Sequence, residues 1–307
     1  MFTLSSEQIR KLYEQICDPQ VQAKIKEDRK GYVKFPIEKK NGTKRWIHAP
    51  HFLVKNVQEA ILREIPTPSV THFGYEVING FCPGRNIVDN AKPHLKKKVV
   101  LSIDLKNFFP SFTPNEVYKF ILKMCNGSKS MADAFQEILT TPGKCLPQGA
   151  PTSPMIANWL AVEGDKAVSK FCQEHRLDFT RYADDLTFST VGQYIDEDVV
   201  QELVRLINTC YGQRIKVAPK KVKFMRSNKQ QRVTGIVTND KLSIPRARRR
   251  RLRAIMHHAK AEGLKAALAV DGLSVFQLYG EISYLSLTHR GLAEQYIKTI
   301  KTLQQEK

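Results

Sequence analysis

The first 30 residues read as polar, amphipathic helix, and apolar residues recur at helical spacing from Phe52 to Ile65. Between them, Val33-Lys34-Phe35-Pro36-Ile37 and Arg45-Trp46-Ile47-His48 flank Asn41-Gly42, a pair that favours a type I′ turn, so a β-hairpin is expected there. Val99-Val100-Leu101-Ser102-Ile103 is a short apolar run ending on Asp104 and reads as a buried strand. Thr113-Pro114-Asn115-Glu116 opens a helix: Thr113 is the cap, Pro114 suits the first helical position, and Glu116 completes a capping box. A second helix is expected from Ser153-Pro154 to about Glu174. From Asp178 to Ser189 the pattern is strand, turn, strand around Tyr182-Ala183-Asp184-Asp185. Asp196 caps a helix ending near Cys210, before Gly212. Short strands follow around Lys216, Val222 and Val233, with Asn239-Asp240 as a turn. Beyond Pro245 the pattern is helical, with Ser274 and His289-Arg290-Gly291 bracketing later helices. The order is helix, hairpin, mixed α+β centre and helical tail, joined by short loops, which predicts one multi-lobed body.

Composition adds a sign to this picture. Of 307 residues, 49 are Lys or Arg and 30 are Asp or Glu, a formal charge of +19, while 42% are hydrophobic. The apolar fraction excludes wholesale disorder, and the charge points to a polyanionic partner. Cys17, Cys82, Cys125, Cys145, Cys172 and Cys210 include no Cys-x-x-Cys pair, so zinc is poorly supported. They read as free, mostly buried thiols of a reducing cytosol. The N-terminus lacks the basic start and apolar run of a signal peptide, and no stretch approaches the roughly 18 apolar residues of a membrane span. A cytoplasmic protein with no membrane partner is expected.

The candidate chemistry lies in Asp104 and Asp184-Asp185, each at the end or turn of an expected strand. Clustered carboxylates repel by about 4 kcal/mol per close pair at intermediate dielectric, so such a cluster calls for cations. Carboxylate oxygens select Mg²⁺, with Mn²⁺ as a possible substitute. Two such ions activate an attacking hydroxyl and neutralise a leaving pyrophosphate. A bare Asp-Asp is more often an ordinary polar turn. Here strand-forming Phe179-Thr180-Arg181 and Leu186-Thr187-Phe188-Ser189 frame it.

Three blocks resemble the reverse transcriptases, in that family's order. Ile103-Asp104-Leu105-Lys106-Asn107-Phe108-Phe109-Pro110-Ser111 is similar to the first catalytic-aspartate block. Leu146-Pro147-Gln148-Gly149-Ala150-Pro151-Thr152-Ser153-Pro154 is similar to the nucleotide-side loop and helix start, with Thr152 where many relatives carry Ser. Tyr182-Ala183-Asp184-Asp185 is similar to the signature hairpin. The resemblance implies an α+β right-hand polymerase. Residues 1–98 would form N-terminal helices and fingers, 99–244 the palm (antiparallel sheet flanked by helices) with interleaved fingers elements, and 245–307 a basic helical thumb. It also implies site roles. Asp104 and Asp184 would be the principal ligands of both metals, with the Leu105 carbonyl assisting and Asp185 weaker. Phe109 would be a sugar gate favouring dNTPs, with Phe108 the better core aromatic. Gln148 and Gly149 would line the nucleotide pocket. Lys221 would steady or protonate the pyrophosphate, with Lys220 the competing assignment. Arg45 is the candidate for the triphosphate tail, in competition with Lys39, Lys40 and Lys44.

Two further blocks resemble those of bacterial retron reverse transcriptases: Asn90-Ala91-Lys92-Pro93-His94, matching Asn-Ala-x-x-His, and Val233-Thr234-Gly235. That branch implies a structured noncoding RNA as template and partner. It implies priming from an internal guanosine 2′-hydroxyl and a branched RNA-linked DNA (msDNA) as product. It also implies an accessory effector protein and a role in antiphage defence. The alternatives are a group II intron-like or diversity-generating reverse transcriptase, which the absence of a maturase region and the two extra blocks disfavour, and a non-catalytic RNA-binding scaffold, which the intact aspartates disfavour. Past Pro245, Arg246, Arg249, Arg250 and Arg253 fall at i, i+3, i+4 and i+7 and read as a phosphate-binding face, with Lys96-Lys97-Lys98 a second patch.

Overall fold

The computed structural model describes residues 2–26, 31–39, 42–141, 143, 145–212, 214–218 and 221–305. In chain order its first elements are α1 (Ser6–Ile16), α2 (Pro19–Lys26), β1 (Tyr32–Glu38), β2 (Lys44–Pro50), α3 (Phe52–Glu64), β3 (Thr71–His72), β4 (Tyr75–Glu76) and α4 (Ile87–Ala91). Next come β5 (Val99–Lys106), α5 (Phe108–Ser111), α6 (Pro114–Met124), α7 (Lys129–Leu139), α8 (Ser153–Glu174), β6 (Asp178–Tyr182), β7 (Asp185–Thr190) and α9 (Glu197–Cys210). The remainder is β8 (Lys216–Val217), β9 (Lys223–Arg226), β10 (Arg232–Val233), β11 (Ile236–Val237), α10 (Arg246–Glu262), α11 (Leu264–Asp271), α12 (Val275–Ser286) and α13 (Arg290–Gln305). The chain is therefore a mixed helix-and-sheet protein of the α+β kind. Among the described residues no helix is long and apolar enough to cross a membrane.

The chain divides into two compact units. The first comprises Met1–Arg85, Leu101–Phe188 and Ile195–Lys223. Its helices start where local chemistry directs: the Ser5 hydroxyl accepts from the Gln8 N–H, and Thr113 from the Glu116 N–H, each inside a capping box. Asp196 holds the N-cap position of α9 but makes no side-chain cap bond. The sheet runs β6-β7-β5-β8, with β9 also paired to β5. Leu101, Ile103 and Leu105 of β5 are buried while Ser102 and Asp104 are half-buried, the period of two that turns Asp104 away from the core. Phe179 and Phe188 stack at 5.0 Å beneath the sheet. The β1–β2 hairpin is antiparallel, pairing Phe35 with Ile47 and Ile37 with Arg45. Gly42 adopts φ +75°, as its turn needs, whereas Asn41 and Lys40 lie outside the described residues.

The second unit comprises Asn86–Val100, Ser189–Tyr194 and Phe224–Lys307. Its core is Val233, Ile236, Leu252, Ile255, Met256, Leu278, Ile282 and Leu285. These boundaries differ from cuts at 98 and 244. Residues 86–98 and 224–244 group with the helical C-terminal elements because specific bonds hold them there. The Thr234 hydroxyl donates to the Ile87 carbonyl at 2.9 Å, and the Lys96 N–H to the Thr238 carbonyl at 2.9 Å. The Tyr284 hydroxyl donates to the Gly235 carbonyl at 3.1 Å.

Candidate active site

Strand β5 carries Asp104, and the β6–β7 turn carries Asp184 and Asp185. A backbone bond joins them: the Leu105 N–H donates to the Asp184 carbonyl at 2.9 Å. Asp184 follows Ala183, which sits in the left-handed region at φ +58°. Gly80 permits that turn, since a Cβ on it would stand 2.5 Å from the Ala183 nitrogen. The Ala218 N–H bonds the Asp104 carbonyl, and the Lys221 N–H bonds the Ala218 carbonyl. This places the Lys221 ammonium 2.7 Å from each carboxylate oxygen of Asp104. Pro219 and Lys220, the competing lysine, lie outside the described residues.

The carboxylates feel one another. Burial raises the Asp184 carboxyl above the usual carboxylate range and the charge of Asp104 adds to this, while Lys221 and Arg45 pull it down. Burial, then the charges of Asp184 and Asp104, push Asp185 up to about 6. Asp185 is the first residue of β7 and keeps an exposed edge. A raised carboxyl means that the folded chain holds its proton up to about pH 6, whereas the unfolded chain releases it near 3.8. Wild-type stability therefore falls as pH rises through that window. Asp185→Asn is expected to melt at a higher temperature than wild type at pH 7 without metal, with the gap closing near pH 4. Melting curves at both pH values check this, and an absent gap at pH 7 refutes it.

Among the described residues no three His, Cys, Asp or Glu side chains are arranged to hold one metal ion between them. The Lys221 ammonium is bonded to both oxygens of Asp104. The donor set still fits a hard divalent cation: it is all oxygen, its members repel, and an amine cation already balances one of them.

The other expected residues have the following surroundings. The charge of Arg45, on β2, acts on Asp184. The His48 N–H donates to the Gln148 carbonyl at 2.8 Å, and a Cβ on Gly149 (φ +128°) would meet the His48 carbonyl oxygen at 2.9 Å. The Gln148-Gly149 loop thus lies against the strand that carries Arg45. Phe108 is buried whereas Phe109 is only half-buried. The Phe109 ring lies 6.3 Å from Phe81, which in turn is 6.5 Å from Tyr182. Phe81 escaped the sequence reading. Its signal was weak: a lone aromatic after Asn79-Gly80, held at φ +61°.

The remaining expected residues belong to the second unit. Asn90 and His94 are fully buried, and His94 Nδ1 meets the Ser189 hydroxyl at 2.7 Å. Val233 is core. Thr234 ties the β10–β11 turn to α4, and a Cβ on Gly235 would press on the Tyr284 hydroxyl at 2.8 Å. Asn90, His94 and Val233 are thus buried in the local fold and present no surface to a ligand, whereas Thr234 is half-buried and Gly235 exposed. On α10, Arg246, Arg250 and Arg253 are exposed. Arg249 is half-buried with its Nη1 3.5 Å from His289 Nε2, so it departs from the face expected of it. Arg248 pairs with Glu281 and lies 4.0 Å over the Tyr284 ring, and Arg251 pairs with Asp271 at 2.9 Å.

Comparison with known proteins shows the family. The family model described as "Reverse transcriptase (RNA-dependent DNA polymerase)" matches residues 37–238, more than half of the chain. Curated relatives include the retron Mx65 reverse transcriptase of Myxococcus xanthus, 33% identical over 270 residues, 80% of this chain and 60% of that protein. The retron Mx162 reverse transcriptase of the same organism is 31% identical over 302 residues, 89% of this chain and 61% of the relative. The retron Ec83 reverse transcriptase of Escherichia coli is 29% identical over 283 residues, covering 88% of this chain and 89% of the relative. The chain thus spans about three-fifths of the first two relatives and most of the third.

Proposed function

The chain belongs to the reverse transcriptase family, and from that premise we propose that it is an RNA-directed DNA polymerase of the retron kind. The observation that carries the reading is the backbone bond from Leu105 to Asp184, which brings two carboxylates 80 positions apart within reach of each other's charge.

In this reading a primer hydroxyl oxygen attacks the α-phosphorus of a dNTP. The new O–P bond forms, the bond from the α-phosphorus to the bridging oxygen breaks, the hydroxyl proton passes to solvent water, and pyrophosphate departs with the bridging oxygen. Asp104 and Asp184, with the Leu105 carbonyl and the weaker Asp185, are the residues that hold divalent cations, two Mg²⁺ ions by the family's pattern. Such ions, when bound, ease loss of the hydroxyl proton and neutralise charge on the phosphates. Lys221, whose ammonium lies beside Asp104 on a side chain that is 62% exposed, is the cation that serves the leaving pyrophosphate. Arg45 steadies the triphosphate tail, Gln148 and Gly149 line the nucleotide pocket, and the Phe109 ring excludes a ribose 2′-hydroxyl. The exposed arginines of α10 grip the duplex backbone. Fingers, palm and thumb are the roles we assign to residues 1–98, 99–244 and 245–307.

The relatives' shared retron naming supports the rest of the proposal. The template is a structured noncoding RNA, priming is from a guanosine 2′-hydroxyl, and the product is branched msDNA. The setting is a bacterial cytoplasm, with an accessory effector and antiphage defence as the biological role. The test is to isolate the protein with its neighbouring RNA from cells and sequence the attached nucleic acid, with and without debranching enzyme. A short DNA joined to RNA by a debranching-sensitive bond is expected. Linear cDNA alone would overturn the retron assignment, and no DNA at all would overturn the polymerase reading.

A further inference from the structure

The largest fully buried side chain is a charged one. Arg181, two residues before Ala183, has no exposed surface, and neither has its partner Asp165 on α8. Nε and Nη2 of the guanidinium each donate to a different oxygen of Asp165 at 2.7 Å. Nη1 reaches two acceptors from separate parts of the fold: the Asn158 side-chain oxygen at 2.9 Å and the Ala183 carbonyl at 3.2 Å. Asn158 in turn donates to the Gly80 carbonyl at 2.9 Å, and the Tyr211 hydroxyl donates to Asp165 at 2.8 Å. The guanidinium carbon also lies 5.8 Å from the Phe108 ring. On the backbone, the Arg181 N–H donates to Val77, and the Arg181 carbonyl accepts from Asn79.

This side chain touches residues that continue each part of the site along the chain. Asn158 and Asp165 belong to α8, whose first residues continue the Gln148-Gly149 loop. Phe108 continues the strand of Asp104, and Ala183 immediately precedes Asp184. The bond to Ala183 falls on a non-glycine residue in the left-handed region, a conformation that surrounding structure must hold in place. A buried ion pair is weak evidence for stability, because an apolar pair of similar volume often serves as well. Four hydrogen bonds from one buried guanidinium, one of them to the catalytic turn, therefore ask for a different account.

We propose that Arg181 is a positioning residue: it holds the Ala183 turn, through its bond to the Ala183 carbonyl and its anchorage on α8, so that Asp184 faces Asp104 beside the nucleotide loop. The inference rests on the polymerase reading for its catalytic consequence, but its structural half stands without it. Arg181→Lys keeps a charge opposite Asp165, yet a single ammonium cannot reproduce two parallel bonds to Asp165 together with those to Asn158 and Ala183. The triple variant Arg181→Met, Asp165→Leu, Tyr211→Phe removes the charges and the hydroxyl together and fills the space with apolar atoms.

The test measures four things on the full chain with its RNA: melting temperature, RNA affinity, kcat and KM for dNTP, and hydrogen exchange across residues 103–108, which reports the Leu105 N–H bonded to Asp184. For Arg181→Lys the expected result is a lowered but still cooperative melt, near-native RNA affinity below it, faster exchange at 103–108 than in α6 and α7, and kcat lowered about 100-fold, the cost of misplacing reacting groups by an ångström. The triple variant, if folded, should show the same loss of kcat. Native kcat in a folded variant, or exchange that quickens equally in α6 and α7, would overturn the proposal and leave Arg181 a purely structural ion pair. If wild-type protein makes no DNA, the polymerase reading fails, and the exchange contrast alone still decides whether Arg181 holds the turn.

Discussion

Asp184→Asn should abolish DNA synthesis while the chain still folds and still binds its RNA. The folded protein holds this carboxyl above its usual range, chiefly through burial and then through the charge of Asp104. Its negative form is therefore an electrostatic burden on the fold, and a neutral amide of the same size relieves it. The melting temperature of the metal-free variant should be no lower than that of wild type. Activity moves the opposite way, because the residue's role is to hold positive charge where the transition state gathers negative charge. Loss of several kcal/mol of such stabilisation corresponds to a fall of about a thousand-fold or more. Single-turnover extension of a primer–template, run beside a filter-binding assay with the cognate RNA, separates the two effects. A variant that loses RNA binding or unfolds would show that the turn is structural.

The second large effect is expected on α10. Replacing Arg246, Arg250 and Arg253 together with Ala should weaken RNA binding steeply at low salt and flatten its salt dependence. Each neutralised phosphate contributes roughly 0.7 to 0.9 to the slope of log affinity against log salt, so three contacts remove about two to three units. The structure supplies an internal control. Arg248 is held by Glu281 and by the Tyr284 ring, and Arg251 by Asp271. Removing Arg248 should cost about 1 kcal/mol of stability through lost pairing and packing, with little change in the slope. Equal slopes for the triple variant and wild type would place the phosphate contacts elsewhere.

That contrast shows what a run of like residues conceals. Six arginines between Arg246 and Arg253 look alike on paper, and helical spacing groups Arg246, Arg249, Arg250 and Arg253. Whether a guanidinium meets solvent or a carboxylate depends on what packs beside the helix. Glu281 comes from α12 and His289 from the segment between α12 and α13, which no spacing rule links to α10. Asn90 and His94 teach the same lesson. They stood out as a motif, and the fold places both inside, with His94 against Ser189. Phe81 escaped notice because its value lies in neighbours from other blocks, Phe109 and Tyr182.

By itself the sequence determined what depends on near neighbours. The Thr113 capping box, the Ser153–Glu174 helix, the hairpin that pairs Ile37 with Arg45, and the strand that carries Asp104 all follow from spacing and backbone preference within a few residues. The order of three short blocks likewise identified the family, because the blocks are contiguous. Only the tertiary structure decided which distant groups share a charge or a bond. It put the Lys221 ammonium on Asp104, grouped residues 86–100 with 224–307 in one compact unit, and buried Arg181 against Asp165. The physical reason is that propensity acts through the local backbone, whereas the partner of a buried charge is chosen by desolvation: once water is excluded, a guanidinium must find its acceptors wherever the packed chain supplies them.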